Sequence, residues 1–204
     1  NIQNFENSDT QKMKDQFFLY TDKFVQFTQA DKELLISALT FRQVASKTEL
    51  VSYNKPTDEL FFLLKGCLRK YYTKDGEQIT IYIMTENNFI GAFDSFITGT
   101  QSKETIECLE PCELLILNRM DLDRLYKEIP LMNEFVRKIL EQTLIQFQLS
   151  LNSFMLDNPE ERYTKLLTKN PEILQRVPQH MFASSLGITA TSLSRIRNRI
   201  LKKG

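Results

Sequence analysis

The hydrophobic and polar positions divide the chain into three stretches of different period. Up to about residue 40 the pattern is helical: Leu34, Leu35, Ala38 and Leu39 recur at helical spacing behind Asp31, which reads as the cap. From Phe41 the period shortens. Runs rich in Val, Ile, Phe, Tyr and Thr, such as Leu60–Leu64, Cys67–Tyr72, Ile79–Met84 and Leu114–Leu117, alternate with turn signals at Tyr53-Asn54-Lys55-Pro56, Asp75-Gly76 and Glu110-Pro111. Asp75-Gly76 between two such runs predicts a hairpin, because a type I′ turn needs positive φ. Many short strands without helices between them predict an antiparallel β-roll of jelly-roll type over about 41–117.

A long helical stretch follows. Asn118 reads as an N-cap with Asp121 three residues on, and Pro130 breaks or kinks the helix, leaving a second segment from Leu131 to about Asp157. Leu140, Leu144, Phe147, Leu151 and Phe154 recur at steps of four, three, four and three, the spacing of a coiled-coil seam. Val136, Ile139 and Ile145 widen the stripe. One surface helix needs a single apolar face to cover its own domain, so a stripe this wide predicts two clients, the β-roll and the same helix of a second subunit. The alternative is a helix buried in a monomer core. Asn158-Pro159-Glu160-Glu161 then restarts a helix with a cap, a proline in the first turn and a capping-box acid. It carries Tyr163, Leu166 and Leu167 inward and ends near Asn170-Pro171. The expected class is α+β, divided as 1–117 for the roll with its N-terminal helices, 118–157 for the long helix and 158–204 for a C-terminal unit.

Residues 178–199 carry the most specific pattern. Two helices crossing steeply over a short turn need a small residue where the backbones approach, and Ala183 supplies it. They need a residue tolerant of positive φ in the turn, and Gly187 stands four positions later. Leu193 and Ile196 point back at a three-residue step, while Leu186 and Ile188 close the turn. The second helix keeps one face free of large apolar groups: Thr189, Ala190, Thr191, Ser192, Arg195, Asn198 and Arg199. Hydroxyls, an amide and guanidiniums bond phosphate oxygens and base edges, and Thr189 stands at a helix N-terminus, where N–H groups favour phosphate. Gln179 and His180 open the first helix and join this candidate DNA-binding set. The pattern predicts a helix-turn-helix; a plain helical hairpin with a soluble face would not account for what the charge shows next.

The 204 residues balance 26 basic against 26 acidic side chains, yet the last acid is Glu172. Beyond it Arg176, Arg195, Arg197, Arg199, Lys202 and Lys203 give the tail a net charge of +6 and the remainder −6. An acid-free basic segment implies an anionic partner. With 42% hydrophobic and 25% charged residues the composition is that of a folded globular chain, and no apolar run reaches the roughly 20 residues a membrane span requires. The first residue is Asn1 rather than Met, and Asn1 to Lys14 is polar and lacks the basic and apolar regions of a signal peptide, so a cytoplasmic location is expected. Cys67, Cys108 and Cys112 then sit in a reducing compartment. As a metal pair Cys108 and Cys112 lack a second pair, so small buried hydrophobes in strands is the reading carried forward.

The order of β-roll, long apolar helix and helix-turn-helix resembles the Crp/Fnr family of bacterial regulators over nearly the full length. Leu63-Leu64-Lys65-Gly66-Cys67-Leu68-Arg69 is similar to the family's central glycine motif, and Asn88-Phe89-Ile90-Gly91 opens a segment similar to its phosphate-binding cassette. Leu186-Gly187-Ile188-Thr189 with Ser192-Leu193-Ser194-Arg195 resembles its helix-turn-helix signature. The resemblance implies a homodimer joined along Leu140, Leu144, Phe147, Leu151 and Phe154. It also implies double-stranded DNA and RNA polymerase as partners, and a near-palindromic operator with half-sites one helical turn apart, roughly 34 Å. It places a ligand pocket at Gly91, Ala92, Ser102 and Lys103.

Departures from the family pattern carry as much information. Cyclic-nucleotide binders of the family hold the ribose with a Glu where Ala92 stands, and the cyclic phosphate with an Arg-Ser or Arg-Thr pair where Ser102-Lys103 stands. Ala92 cannot accept a ribose hydroxyl, and Lys103 offers a point charge without a bidentate fork. No response to cyclic AMP or cyclic GMP is expected, and the effector is unknown or none. No cofactor is expected either: an iron–sulfur sensor would need a Cys cluster near the N-terminus, and His180, the single His, lies in the helix-turn-helix. The Arg-Glu pair with which several members read bases aligns with Ala190-Thr191, so their operator does not transfer. Arg195 is then the expected base reader, with Ala190 placed to meet a thymine methyl. The sequence ends at Gly204 directly after the second helix, and no C-terminal β-wing is expected. Two other readings compete. A cupin-type enzyme needs several His and a carboxylate inside its barrel, which this chain lacks. A sensor or interaction module without specific DNA binding differs from the regulator in salt dependence.

Overall fold

A computed structural model describes residues 7–202. Residues 1–6 and the tail cation Lys203 lie outside the described residues. Two helices open the chain, α1 (Asn7–Thr21) and α2 (Gln29–Ser37). Thr28, rather than Asp31, is the N-cap of α2: its hydroxyl accepts from the Asp31 N–H, and the Asp31 carboxylate accepts from the Thr28 N–H in return. Asp31 is therefore the third helical residue of a capping box, the position where an acid can reach back.

Among the described residues, eight strands follow in two four-stranded antiparallel sheets. The first has the order β1 (Thr40–Val44), β8 (Cys112–Asn118), β3 (Glu59–Lys65), β6 (Asn88–Ile90). The second has the order β2 (Glu49–Val51), β7 (Thr105–Cys108), β4 (Leu68–Lys74), β5 (Glu77–Met84). The Asp75-Gly76 hairpin forms as expected, with φ of 52° and 82° at its two central residues. β3 and β8 are apolar at successive positions because both of their faces are covered. Phe61, Leu63, Leu114 and Ile116 face the layer between the sheets, while Phe62, Leu64, Leu115 and Leu117 face a helical layer. That layer is built from α1, α2, α4 (Arg119–Glu128) and the first two turns of α5 (Met132–Leu156), with Phe17, Leu125, Met132 and Phe135 buried in it.

Gly66, at φ 115°, is the close approach in the central glycine motif. A Cβ there would stand 2.5 Å from Cys112 Sγ and 2.9 Å from the Pro111 carbonyl oxygen. The three cysteines are buried and free: Cys108 ends β7 and Cys112 opens β8, while Cys67 lies in the turn between β3 and β4. Burial pushes the Cys67 thiol up to about 12, which leaves it a packing group at neutral pH.

The break at Pro130 separates α4 from α5, and α5 ends at Leu156 with Asp157 as its C-cap. Asn158 caps α6 (Pro159–Lys169) in a complete capping box with Glu161. A single turn, α7 (Ile173–Arg176), then precedes α8 (Gln179–Ser185) and α9 (Ala190–Leu201). Tyr163, Ile173, Val177, Phe182, Ala183, Leu186, Leu193 and Ile196 form the core of this C-terminal unit, and Cys67 of the β-roll packs into the same cluster.

Candidate nucleic-acid interface and ligand pocket

The turn between α8 and α9 has the geometry its residues require. Gly187 takes φ 70°, its N–H donates to the Ser184 carbonyl, and Ala183 is fully buried at the helix crossing. Leu193 is 0% exposed and Ile196 5%, so α9 is braced from behind by the side chains that its spacing assigned to that task. Thr189 caps α9 by accepting from the Ser192 N–H at 3.2 Å.

On the opposite face, Thr189, Ala190, Thr191, Arg195, Asn198 and Arg199 are all exposed. Ser192 is half-buried, and its hydroxyl accepts from Thr189 Oγ1 at 3.0 Å, which spends it partly on the cap. Gln179 and His180 are exposed beside this face, and Gln179 Nε2 donates to the Ala190 carbonyl at 3.5 Å, linking the two helix starts. The result is a convex, hydroxyl- and guanidinium-bearing surface around a helix N-terminus, able to bond phosphates and base edges.

Two tail cations behave differently from the rest. Arg199 Nε lies 3.5 Å from Glu160, an exposed and weak pair that water competes for. Arg176 leaves the basic surface altogether: its guanidinium faces Glu86 and Glu110 on the β-roll. Of the six cations that give the tail its charge, Arg176 is therefore paired with acids more than sixty residues away along the chain.

A junction that the sequence did not disclose joins α5 to this unit. Arg162 donates through Nε and Nη2 to the Leu186 carbonyl at 3.2 and 2.9 Å, and through Nη1 to the Asp157 carbonyl at 2.6 Å. Its guanidinium lies 5.1 Å from the centre of the Phe154 ring, and a Cβ on Gly187 would stand 2.9 Å from that same ring. One cation thus satisfies carbonyls at the ends of both α5 and α8, which have no partner within their helices.

Beyond Ile139, α5 leaves the core. Leu140, Leu144, Phe147, Leu151 and Phe154 are all about half exposed or more, Phe147 at 67%. The reading of α5 as buried in a monomer core is therefore set aside. Ile145, Leu149 and Leu156 are exposed as well, on the side away from the seam.

In the β-roll, Gly91 and Ala92 are buried, and Ala92 is the residue before α3 (Phe93–Thr98). Ser102 is 1% exposed; its hydroxyl donates to the Glu104 carbonyl and accepts from the Glu104 N–H, while Lys103 is exposed. The structure adds three residues that the spacing did not point to. Lys70 Nζ donates to the Gly91 carbonyl at 2.7 Å and lies 2.7 Å from Glu104 Oε2, and Tyr72 donates to Glu104 Oε1 at 3.0 Å. A nearly buried internal ion pair thus stands between the cassette and the Ser102-Lys103 segment.

The comparisons agree with this architecture. Residues 41–128 match the cyclic nucleotide-binding domain family. No curated protein sequence matches the chain. Among solved structures, FixK2 from Bradyrhizobium japonicum superimposes with a TM-score of 0.71 at 13% identity, over 81% of this chain and 86% of its own. The c-di-GMP-responsive global regulator CLP of Xanthomonas campestris gives 0.69 at 14% identity, over 87% and 93%. A Crp/Fnr-family transcriptional regulator from Eubacterium rectale gives 0.69 at 18% identity, over 93% and 89%. Residues 41–128 are therefore similar to a cyclic nucleotide-binding domain, and the chain taken as a whole has the fold of the Crp/Fnr regulators.

Proposed function

We propose that the protein is a cytoplasmic DNA-binding transcription regulator that acts as a homodimer on a near-palindromic operator. The observation that carries this reading is α9, whose polar face is exposed and acid-free while Leu193 and Ile196 anchor it from behind. Gln179, His180, Thr189, Ala190, Thr191, Ser192, Arg195, Asn198 and Arg199 form the DNA surface, with Arg195 the base reader. The exposed stripe Leu140, Leu144, Phe147, Leu151 and Phe154 joins two copies, which brings two recognition helices to one duplex. The division into a roll over 1–117, a dimerisation helix over 118–157 and a DNA-binding unit over 158–204 follows the same logic. RNA polymerase is the further partner of such a regulator.

Cyclic AMP does not control it. Ala92 and Ser102-Lys103 lack the ribose and phosphate ligands, and the Lys70 ammonium beside them is already paired with Glu104. The Gly91, Ala92, Ser102 and Lys103 pocket takes another effector or none.

Selection of bound sequences from random double-stranded DNA tests the reading. The expected result is a two-fold-symmetric consensus with half-site centres one helical turn apart. Recovery of unenriched sequence would replace the regulator with a sensor or interaction module.

A further inference from the structure

We infer that Arg176 is a latch that fixes the C-terminal unit on the β-roll, and that this fixed orientation allows the two α9 helices of a dimer to engage both half-sites together. The inference rests on the regulator reading above and goes beyond it by naming what sets the helix orientation.

Arg176 closes α7, immediately before the first helix of the helix-turn-helix. Its Nη1 and Nη2 donate to the two Glu86 oxygens at 2.9 and 2.6 Å, and its Nη2 and Nε donate to Glu110 Oε1 at 2.5 and 3.2 Å. Glu86 lies in the turn between β5 and β6, and Glu110 in the turn between β7 and β8. Both turns are anchored to the roll: the Gly66 N–H donates to Glu86 Oε1 at 2.9 Å, and the Cys112 thiol, at the start of β8, donates to the Glu110 carbonyl at 3.2 Å. A planar fork spanning two carboxylates fixes direction as well as distance, which a single lysine contact would not do. The three groups are each 21–30% exposed, so the network is shielded from water without the full cost of burying its charges. Without the guanidinium, two carboxylates of the roll would face each other unpaired, and the charged tie between the roll and the C-terminal unit would be lost.

Further contacts follow the same docking. Asn170 Nδ2 donates to Thr85 Oγ1 at 3.2 Å, and the Thr80 N–H donates to Ser184 Oγ at 2.9 Å. β5 is an edge strand, and α8 covers it through Ser184. Cys67 adds an apolar contact within the cluster of Tyr163, Ile173 and Phe182. The docked position leaves the polar face of α9 open, so the latch does not mask the DNA surface. A unit held only through the Asp157-Asn158 connection would instead sample many orientations, and binding two half-sites together would then require ordering it first.

Two variants of the full chain test the latch, Arg176→Ala and the double variant Glu86→Gln/Glu110→Gln. Each is measured against the selected palindrome and against DNA carrying one half-site. Amide exchange at Thr80 is followed without DNA. The expected result is about tenfold weaker binding to the palindrome, half-site binding within about twofold of the parent, and faster Thr80 exchange in both variants. Equal losses on both DNAs, tighter palindrome binding, or unchanged Thr80 exchange would each overturn the latch. If the parent itself shows no preference for symmetric DNA, the regulator reading fails, and Thr80 exchange still decides whether Arg176 holds the two units together.

Discussion

Phe147→Glu examines the dimer seam in the place where it costs the protomer least. Phe147 stands at the middle of the five-residue stripe and is two-thirds exposed in a single chain, so the fold does not depend on it. Fully burying a Phe is worth about 1.5–3 kcal/mol, and two-thirds of that remains to be gained on association, roughly 1–2 kcal/mol per copy. In a two-fold interface each substitution occurs twice, which makes the apolar loss about 2–4 kcal/mol. Two carboxylates facing each other across a dry seam add a further penalty of similar size. Each 1.4 kcal/mol is a factor of ten, so the dimer dissociation constant rises by at least about a thousandfold. Sedimentation equilibrium at micromolar protein would show a monomer, while circular dichroism and thermal unfolding remain those of the parent. Operator binding should fall with the dimer. A Phe147→Glu protein that still sediments as a dimer removes α5 from the interface and refutes the reasoning.

Other outcomes follow from the same geometry. Arg195→Ala should lower specific DNA binding by about 1–3 kcal/mol and relax one operator position, whereas an equal loss on random DNA would show that it contacts phosphate only. Calorimetry with cyclic AMP and cyclic GMP should show no micromolar binding, and heat at that concentration would contradict the account of Ala92 and Lys70–Glu104. Burial alone would raise the Glu86 carboxyl, but the hydrogen bonds from Arg176 and from backbone N–H groups hold it below its ordinary value. A depressed carboxyl stabilises the docked state above its ordinary range and loses that contribution as pH falls through its folded value. Protection of the Thr80 amide should therefore persist at about pH 5 and fade below about pH 4, and Glu86→Gln should flatten that dependence. A protection profile that loses its plateau near neutrality would assign the docking to another group.

The local features of the fold were legible because their causes are local. Asp75-Gly76 requires positive φ, Asn158-Pro159 carries its own cap, and Leu193 and Ile196 sit three residues apart on a helix whose other face is polar. The stripe on α5 was legible for the same reason, since its period is written in one segment. Thr28-x-x-Asp31 was equally local and was misread, because the acid of a capping box draws attention from the hydroxyl that caps. What escaped is non-local. Arg176 finds partners 90 and 66 residues earlier, and the tertiary fold turns one of the tail's cations into an internal tie. Lys70 on β4 and Glu104, just before the neighbouring β7, form a pairing of segments more than thirty residues apart that the residue types at 92, 102 and 103 do not disclose. Arg162 likewise serves carbonyls of two helices that no spacing rule connects.

The salt dependence of binding to the selected operator tests the central claim most directly, because it counts the cations that α9 delivers to the duplex. Each phosphate contact contributes about 0.9 to the slope of log K against log salt, and a dimer carries every contact twice. The account predicts a steep slope that flattens by about 2 when Arg199→Ala removes one exposed cation per copy. A slope near zero in the parent, or one unchanged in the variant, would mean that this helix does not meet DNA.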